Sequence, residues 1–166
     1  MSNIIYLILG SNIHPEQNLR AAISHLSNYG IIKAVSAVWE TRPIGFLHQP
    51  NFLNCACAIQ TELNGSDFQN TTRNIEKKLG RSRTGNKFGP RNIDIDIVLY
   101  NNDICLINDR QIPDPEILER GFVAITLAEI APEYMHPVVQ KKLFEIASDF
   151  QNEKFSMTKR SEIKLM

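Results

Sequence analysis

The order of strand-like and helix-like segments constrains the fold of this chain more than any other feature of its sequence. Aliphatic and β-branched runs predict strands, apolar residues at helical spacing predict helices, and glycine or proline clusters separate them. From the N-terminus the segments are a strand at Asn3–Leu9, a helix from Pro15 to about Gly30, strands at Ile31–Glu40 and Phe52–Thr61, a helix from the Asn64 cap region to Gly80, and a strand at Ile93–Tyr100 with a short partner near Ile104–Ile107. This β-α-β, β-α-β order is typical of one antiparallel sheet with two helices packed on it.

We therefore predict an α+β fold with a ferredoxin-like βαββαβ core and C-terminal helical additions. At 166 residues the chain is long enough for one hydrophobic core and too short to divide comfortably into two. Helical patterns at Pro115–Arg120, Val123–Ile130 and Gln140–Phe150 follow the core. Residues 1–150 are expected to form a single domain, and the polar residues 151–166 a loosely ordered tail.

Composition restricts the partners and the compartment. The 18 lysines and arginines balance the 18 aspartates and glutamates, so no overall field favours nucleic acid or a membrane surface. The N-terminal apolar run has no basic leader and is too short to span a bilayer. Three cysteines, Cys55, Cys57 and Cys105, are too few for a disulfide framework. These features favour a cytoplasmic protein, and a monomer is expected without being derivable from the sequence.

A basic segment precedes the last core strand. Residues 77–92 contain six of the 18 lysines and arginines and no acid. Gly80, Gly85, Gly89 and Pro90 make most of this segment a loop, so that its cations can converge on one ligand. Arginine holds phosphate oxygens through a planar fork of donors, which favours a polyphosphate ligand over an ordinary solvated basic surface.

Two acids stand directly after this segment. Asp94 and Asp96 alternate with isoleucines, so both carboxylates leave the same face of the strand, with Cβ atoms roughly 7 Å apart. Magnesium binds one or two carboxylates and completes its shell with water and substrate phosphates. The pair is consistent with the wet face of an edge strand, but beside an arginine-rich loop it predicts a magnesium site for phosphoryl-type transfer.

Several segments together carry a family resemblance. They are Gly10-Ser11-Asn12, Glu40 to Gly45, Phe52-Leu53-Asn54, Glu76 to Arg83, Gly89 to Asp96, Arg120-Gly121-Phe122 and Glu129 to Glu133. In this order they resemble 6-hydroxymethyl-7,8-dihydropterin pyrophosphokinase over about residues 3 to 148. The resemblance implies a ferredoxin-like enzyme of folate biosynthesis that transfers pyrophosphate from ATP to the hydroxymethyl group of the pterin and releases AMP.

The resemblance also implies roles for particular residues. Arg81, Arg83, Asp94 and Asp96 would be catalytic, and the two aspartates would hold two Mg²⁺ ions that bridge the ATP phosphates. The pterin would be bound by Thr41, Pro43, Ile44, Phe52, Asn54 and Phe122. The nucleotide would be bound by Glu76, Arg83, Phe88, Arg91, Ile97, Asp114 and Arg120.

The chain departs from the family pattern at a few positions. Asp114 stands where a histidine is common, Phe88 where a tryptophan is common and Phe52 where a tyrosine is common. An acid near ATP phosphates is expected to weaken nucleotide binding unless Asp114 turns away or helps a metal. A diverged paralogue that binds pterin or nucleotide with little catalysis is therefore the alternative. An RNA-binding module is disfavoured by the balanced charge and the lack of strand aromatics.

Overall fold

The structure is a computed structural model, and it describes residues 1–82 and 88–166. These residues form eight strands, five α-helices and one 3-10 helix. In chain order the elements are β1 (Asn3–Ser11), α1 (Pro15–Leu26), β2 (Ile31–Val35), β3 (Trp39–Thr41), β4 (Phe52–Thr61), α2 (Gly65–Lys78), β5 (Asp94–Tyr100), β6 (Cys105–Ile107), β7 (Arg110–Ile112), the 3-10 helix (Pro115–Leu118), α3 (Gly121–Ile130), α4 (Leu143–Ser148), α5 (Gln151–Lys154) and β8 (Thr158–Lys159).

The main sheet has the strand order β5-β1-β4-β3-β8, and β2 pairs with β4 beside β3. Every pairing in it is antiparallel. The first strand of the chain thus lies between β4 and β5, as a ferredoxin-like βαββαβ core requires. The prediction of an α+β fold with helices packed on an antiparallel sheet is confirmed.

Two hydrophobic clusters cover the two faces of the sheet. Residues such as Leu7, Cys57 and Ile97 face α1 and α2, whose buried side chains include Leu19 and Phe68. The other face carries Ile8, Ala56 and Val98, which pack against α3 and α4. Alternation along β5 therefore directs Ile95 and Ile97 into the first cluster and leaves Asp94 and Asp96 on the second face.

The predicted strand at 31–40 is interrupted in the structure. β2 ends at Val35 and β3 begins at Trp39. Between them the Ser36 hydroxyl accepts a hydrogen bond from the Ala56 amide at 2.8 Å, and the Ser36 amide donates to the Ala56 carbonyl. A side chain thus replaces one backbone acceptor of the sheet, and the strand breaks at this position.

β5 ends at Tyr100 as predicted, but the segment after it pairs differently. Asn101 has a positive φ of 50° and binds back to β1, where its amide donates to the Ile4 carbonyl at 2.8 Å. The short strand predicted near residues 104–107 exists as β6, but it pairs with β7 to form a separate two-stranded hairpin. The strand β7 was not among those predicted from the sequence.

The C-terminal residues contain short regular elements. The expected helix at 140–150 is shorter, because Gln140 has a φ of 57° and the helix α4 starts only after Lys142. The segment 151–166, predicted as a loosely ordered tail, contains α5, the strand β8 and the buried Ile163. Pairing of β8 with β3 supplies backbone hydrogen bonds that a sequence pattern of two residues cannot reveal.

Within residues 1–82 and 88–166, no helix combines the length and the apolar character needed to cross a membrane.

Candidate active site

A cavity lies on the sheet face opposite α1 and α2, next to the start of α3. From the strands it is lined by Ile8, Gly10, Thr41, Phe52, Asn54, Asp94 and Asp96. From loops and helices it is lined by Arg42, Ile44, Phe88, Arg91, Glu116, Arg120 and Phe122. The same opening therefore exposes acids, arginines and aromatic rings.

The register of the sheet explains why these strand residues meet. Gly10 of β1 lies opposite Asn54 of β4 on one side and opposite Asp94 of β5 on the other. Ile8 lies opposite Asp96. Directly paired residues share a face of the sheet, so the register brings the two acids and the Asn54 amide to one wall.

Asp94 is held by two arginines. Arg81 Nη1 donates to Asp94 Oδ1 at 2.6 Å, and Arg91 Nη1 donates to Oδ2 at 3.0 Å. Arg81 also pairs with Glu76 at 2.8 Å, and Glu76 is only 2% exposed. Each of these charges thus has an opposite charge at contact distance, which reduces the cost of partial burial.

Asp96 has a different arginine partner. Arg110 Nη1 donates to Asp96 Oδ1 at 3.2 Å, and Arg110 Nε donates to the Ile97 carbonyl at 2.8 Å. Arg110 Nη2 in turn donates to Asp114, whose other carboxylate oxygen accepts the Glu116 amide at 2.9 Å. Burial and the nearby Asp94 charge raise the pKa of Asp96, while Arg110 opposes that rise.

Uncharged side chains also line the cavity. Asn54 is 5% exposed and its Nδ2 donates to Thr41 Oγ1 at 2.7 Å. A Cβ atom at Gly10 would stand 2.9 Å from Asn54 Oδ1, so a glycine there keeps this amide oxygen accessible. Phe52 and Phe122 both present their rings to the same space.

Polar side chains tie the loops above the sheet together. Asn12 Oδ1 accepts the Arg91 amide at 2.8 Å, and Asn12 Nδ2 donates to Gln49 Oε1 at 2.8 Å. Gln49 Nε2 donates to the carbonyls of Phe46 and Phe88. These bonds connect the loop at 42–51 with residues 88–91 at the cavity rim.

Comparison with known proteins identifies the family. A sequence profile described as 7,8-dihydro-6-hydroxymethylpterin-pyrophosphokinase (HPPK) matches residues 6–132. A 2-amino-4-hydroxy-6-hydroxymethyldihydropteridine pyrophosphokinase of Bacillus subtilis is 39% identical over 136 residues, which cover 80% of this chain and 81% of that protein. This chain belongs to the HPPK family. It is accordingly an ATP-dependent diphosphotransferase of folate biosynthesis, as the sequence analysis predicted.

Other relatives agree with HPPK membership. The pyrophosphokinase of the same name from Aquifex aeolicus is 35% identical over 142 residues, covering 85% of this chain and 88% of its own length. The folic acid synthesis protein FOL1 of Dictyostelium discoideum is 38% identical over 139 residues, and the chain covers only 21% of it. A crystal structure of Plasmodium falciparum HPPK-DHPS has the same fold, with a TM-score of 0.72 at 16% identity over 92% of this chain and 45% of that one.

Most of the residues predicted for the HPPK site meet at the cavity. The lining includes the predicted residues Thr41, Ile44, Phe52, Asn54, Phe88, Arg91, Asp94, Asp96, Arg120 and Phe122. Arg81 stands behind Asp94 as its ion-pair partner. Pro43 is a buried residue of the loop at 42–51, and Arg83 lies outside the described residues.

Three predicted nucleotide residues lie elsewhere among the described residues. Glu76 is buried against Arg81 and also accepts the Ile95 amide at 3.2 Å. Ile97 is 1% exposed and packs in the α1–α2 cluster. Asp114 is 6% exposed, binds Arg110, caps the 3-10 helix and is not among the residues that line the cavity.

Sequence reasoning missed Arg110, Glu116 and Gln49. Arg110 follows Asp96 by 14 positions and reaches it only because the β6–β7 hairpin folds back beside β5. Glu116 lines the cavity and pairs with Arg120 at 3.5 Å, and burial raises the pKa of Glu116. The sequence signal for Glu116 was its position two residues after Asp114, which stands where a histidine is common in the family.

Proposed function

We propose that this cavity is where the chain transfers the pyrophosphoryl group of ATP to the hydroxymethyl oxygen of 6-hydroxymethyl-7,8-dihydropterin. The observation that carries the proposal is that Asp94, Asp96, Arg91 and Arg120 line the same cavity as Phe52 and Phe122. The charged side chains suit a polyphosphate, and the aromatic rings suit a flat heterocycle.

The pterin is proposed to lie between Phe52 and Phe122. Asn54 offers an amide oxygen beside Gly10, while its Nδ2 is already engaged by Thr41. The polar edge of the ring would therefore meet a fixed acceptor at the floor of the cavity. Ile44, which is 53% exposed, and the buried Pro43 belong to the loop that would cover the ring.

Magnesium is proposed to bind Asp94 and Asp96. Among the described residues there is no group of three or more His, Cys, Asp or Glu side chains placed to hold a metal. The donor set nevertheless fits Mg²⁺, which needs only one or two carboxylates when phosphates and water supply the other ligands. When bound, the two expected ions would neutralise the phosphate charge. Asp94 and Asp96 would then exchange part of their contact with Arg81, Arg91 and Arg110 for the metal.

The protein's own part in the reaction is binding and alignment. Arg91 and Arg120 would hold phosphate oxygens at the two sides of the acid pair, and Phe88 would border the nucleotide at the rim. Arg81 and Arg83 would be the catalytic arginines. The pterin hydroxyl oxygen would attack the β-phosphorus and lose its proton to solvent, the bond from that phosphorus to the oxygen shared with the α-phosphorus would break, and AMP would leave. Closing the rim would exclude water, so that the alcohol is the acceptor.

Asp114 does not support the non-catalytic alternative in the way its sequence position suggested. Its carboxylate neutralises Arg110 and caps a helix, where it would not repel phosphates directly.

The test is a direct assay with purified protein, ATP, Mg²⁺ and the hydroxymethyl dihydropterin. We expect AMP and pterin diphosphate in equal amounts. Asp96→Asn should lower kcat by about a thousandfold, because the metal and phosphate charges lose a ligand worth several kcal/mol.

Asp103→Asn, an exposed acid beyond the end of β5, is the matched control and should retain wild-type kcat. Circular dichroism should show the same melting behaviour for Asp96→Asn and the control. Undiminished AMP formation by folded Asp96→Asn would refute the assignment of the acid pair.

We also propose a cytoplasmic, monomeric protein. The three cysteines are free, two of them buried in the core, which agrees with a reducing compartment. Size-exclusion chromatography with light scattering should give the mass of one chain, 18.9 kDa.

A further inference from the structure

The C-terminal segment, residues 151–166, lies beyond the part of the chain that matches the family profile. It begins beside α3 on the cavity face of the sheet, passes the edge strand β3, and ends with Ile163 buried in the cluster under α1. Arg20 of α1 donates to the Lys164 carbonyl at 2.9 Å at that end. The segment thus runs around one edge of the sheet and contacts both helical layers.

At its first contact the segment caps the start of α3. Glu153 Oε2 accepts the amide hydrogen of Gly121, the first residue of α3, at 2.8 Å. The side chain of the N-cap residue Arg120 makes no capping hydrogen bond, so Glu153 satisfies a donor that the helix itself leaves open. A carboxylate there also interacts favourably with the positive end of the ten-residue helix.

The approach at this contact is close. A Cβ atom at Gly121 would stand 2.5 Å from Glu153 Oε2 and 3.2 Å from Phe150 Cβ. Only glycine allows the segment to lie this near the helix start. The residues on either side of Gly121 are Arg120 and Phe122, and both line the cavity.

At its second contact the segment extends the sheet beside β3. Lys159 and Thr158 pair with Trp39 and Glu40, and the Arg160 amide donates to the Val38 carbonyl at 2.8 Å. Arg160 Nη1 forms an ion pair with Glu40 at 2.6 Å. Thr41, which follows Glu40 in β3, lines the cavity and accepts the hydrogen bond from Asn54.

Further cations hold the same edge. The ammonium groups of Lys154 and Lys159 lie 5.9 and 5.7 Å from the centre of the Trp39 ring. Lys159 also pairs with Glu129 of α3 at 3.4 Å. Such contacts are individually weak, but they join α3 and β3 through one short piece of chain.

We infer that the C-terminal segment is a strap that positions both walls of the pterin pocket, with Glu153 and Arg160 as its positioning residues. Glu153 fixes the start of α3 and thereby the Phe122 ring, and Arg160 fixes β3 and thereby Thr41. The inference rests on the proposed function, because it takes Phe122 and Thr41 as pterin contacts. Neither Glu153 nor Arg160 is among the residues that line the cavity.

The test compares Glu153→Ala, Glu153→Gln and Arg160→Ala with the wild type and with Glu145→Ala, an exposed acid on α4. Pterin KM should rise about fivefold in Glu153→Ala and in Arg160→Ala, with kcat within about twofold, because a misplaced wall weakens binding before chemistry. Glu153→Gln keeps an oxygen acceptor for Gly121 and should restore most of the affinity. Glu145→Ala should match the wild type.

Hydrogen exchange supplies a readout that does not depend on activity. Exchange of the Gly121 and Phe122 amides should accelerate about tenfold in Glu153→Ala, while the amides of β1 keep their protection. Wild-type pterin KM together with wild-type exchange at Gly121 in Glu153→Ala would overturn the inference. If the wild-type protein itself forms no AMP, the proposed function fails, and the exchange comparison still decides whether Glu153 holds this wall.

Discussion

Each acid of the β5 pair is linked through an arginine to a second acid behind it. Arg81 lies between Asp94 and Glu76, and Arg110 lies between Asp96 and Asp114. The second acid neutralises part of the positive charge of the arginine. The inner acid is thereby less tightly neutralised and more available to a metal than it would be in a simple pair.

Asp114→Asn tests this arrangement. The amide oxygen can still accept the Glu116 amide, but Arg110 loses a charge partner and should pair more strongly with Asp96. The Mg²⁺ concentration for half-maximal AMP formation should therefore rise about threefold to tenfold, the scale of a single charge-assisted contact. The exposed Glu119→Gln should leave it unchanged, and an unchanged magnesium requirement in Asp114→Asn would contradict the linkage.

His136 predicts a pH effect on stability. Its side chain is buried, its Nδ1 accepts the amides of Val138 and Val139, and burial lowers its pKa below the ordinary 6.5. The unfolded chain therefore binds a proton at His136 more readily than the folded chain does. The stability that neutral His136 contributes is fully present above pH 6.5 and is lost as the pH falls towards the lower folded pKa.

Urea unfolding between pH 8 and pH 5 measures that effect. Below the unfolded pKa the free energy of unfolding should fall by up to about 1.4 kcal/mol per pH unit from this group. His136→Asn keeps an acceptor near the two amides and should flatten the slope relative to the wild type. His48→Asn, at an exposed histidine, should keep the wild-type slope, and equal slopes in all three proteins would exclude the assignment.

At the scale of elements, Ser36 separates β2 from β3. Its hydroxyl is the acceptor for the Ala56 amide, and the residue is 8% exposed. Ser36→Ala should leave that amide without its acceptor and lower the free energy of unfolding by about 1–3 kcal/mol. Ser24→Ala, on the exposed side of α1, should change it by less than about 0.5 kcal/mol. Equal destabilisation by Ser36→Ala and Ser24→Ala would show that the hydrogen bond from the Ala56 amide to Ser36 stabilises the fold by less than this amount.

The elements predicted well are those whose signals are local. The Asn64 side chain accepts the Asp67 amide at 2.8 Å, as the predicted cap of α2 requires, and alternation along β5 places Asp94 and Asp96 on one face. The missed elements depend on distant partners. Within the part of the chain that the structure describes, β7 pairs with β6 alone and β8 pairs with the edge of β3, so neither has a pattern of its own.

The same distinction applies to the site. Residues within one strand or loop could be grouped from the sequence, whereas Arg110 reaches Asp96 only through a hairpin. Ile97 was placed at the nucleotide site by resemblance, yet its strand parity directs it into the opposite cluster. The alternation that predicts Asp94 and Asp96 on one face of β5 also predicts Ile97 on the other.

At the scale of the whole molecule, one face of the sheet carries the larger hydrophobic cluster and the other face carries the cavity. One face is fully used by α1 and α2 to build the main hydrophobic cluster. The other is covered by α3 and α4 only in part, and the cavity opens where their cover ends. A chain with no net charge thus concentrates its functional charges at one partly covered sheet face.

A crystal structure with Mg²⁺, a non-hydrolysable ATP analogue and the hydroxymethyl pterin tests the central claim most directly. We predict metal density about 2.0–2.2 Å from carboxylate oxygens of both Asp94 and Asp96, with the pterin ring between Phe52 and Phe122. Metal and nucleotide bound away from these two acids, or a pterin outside the space between the two rings, would contradict the account.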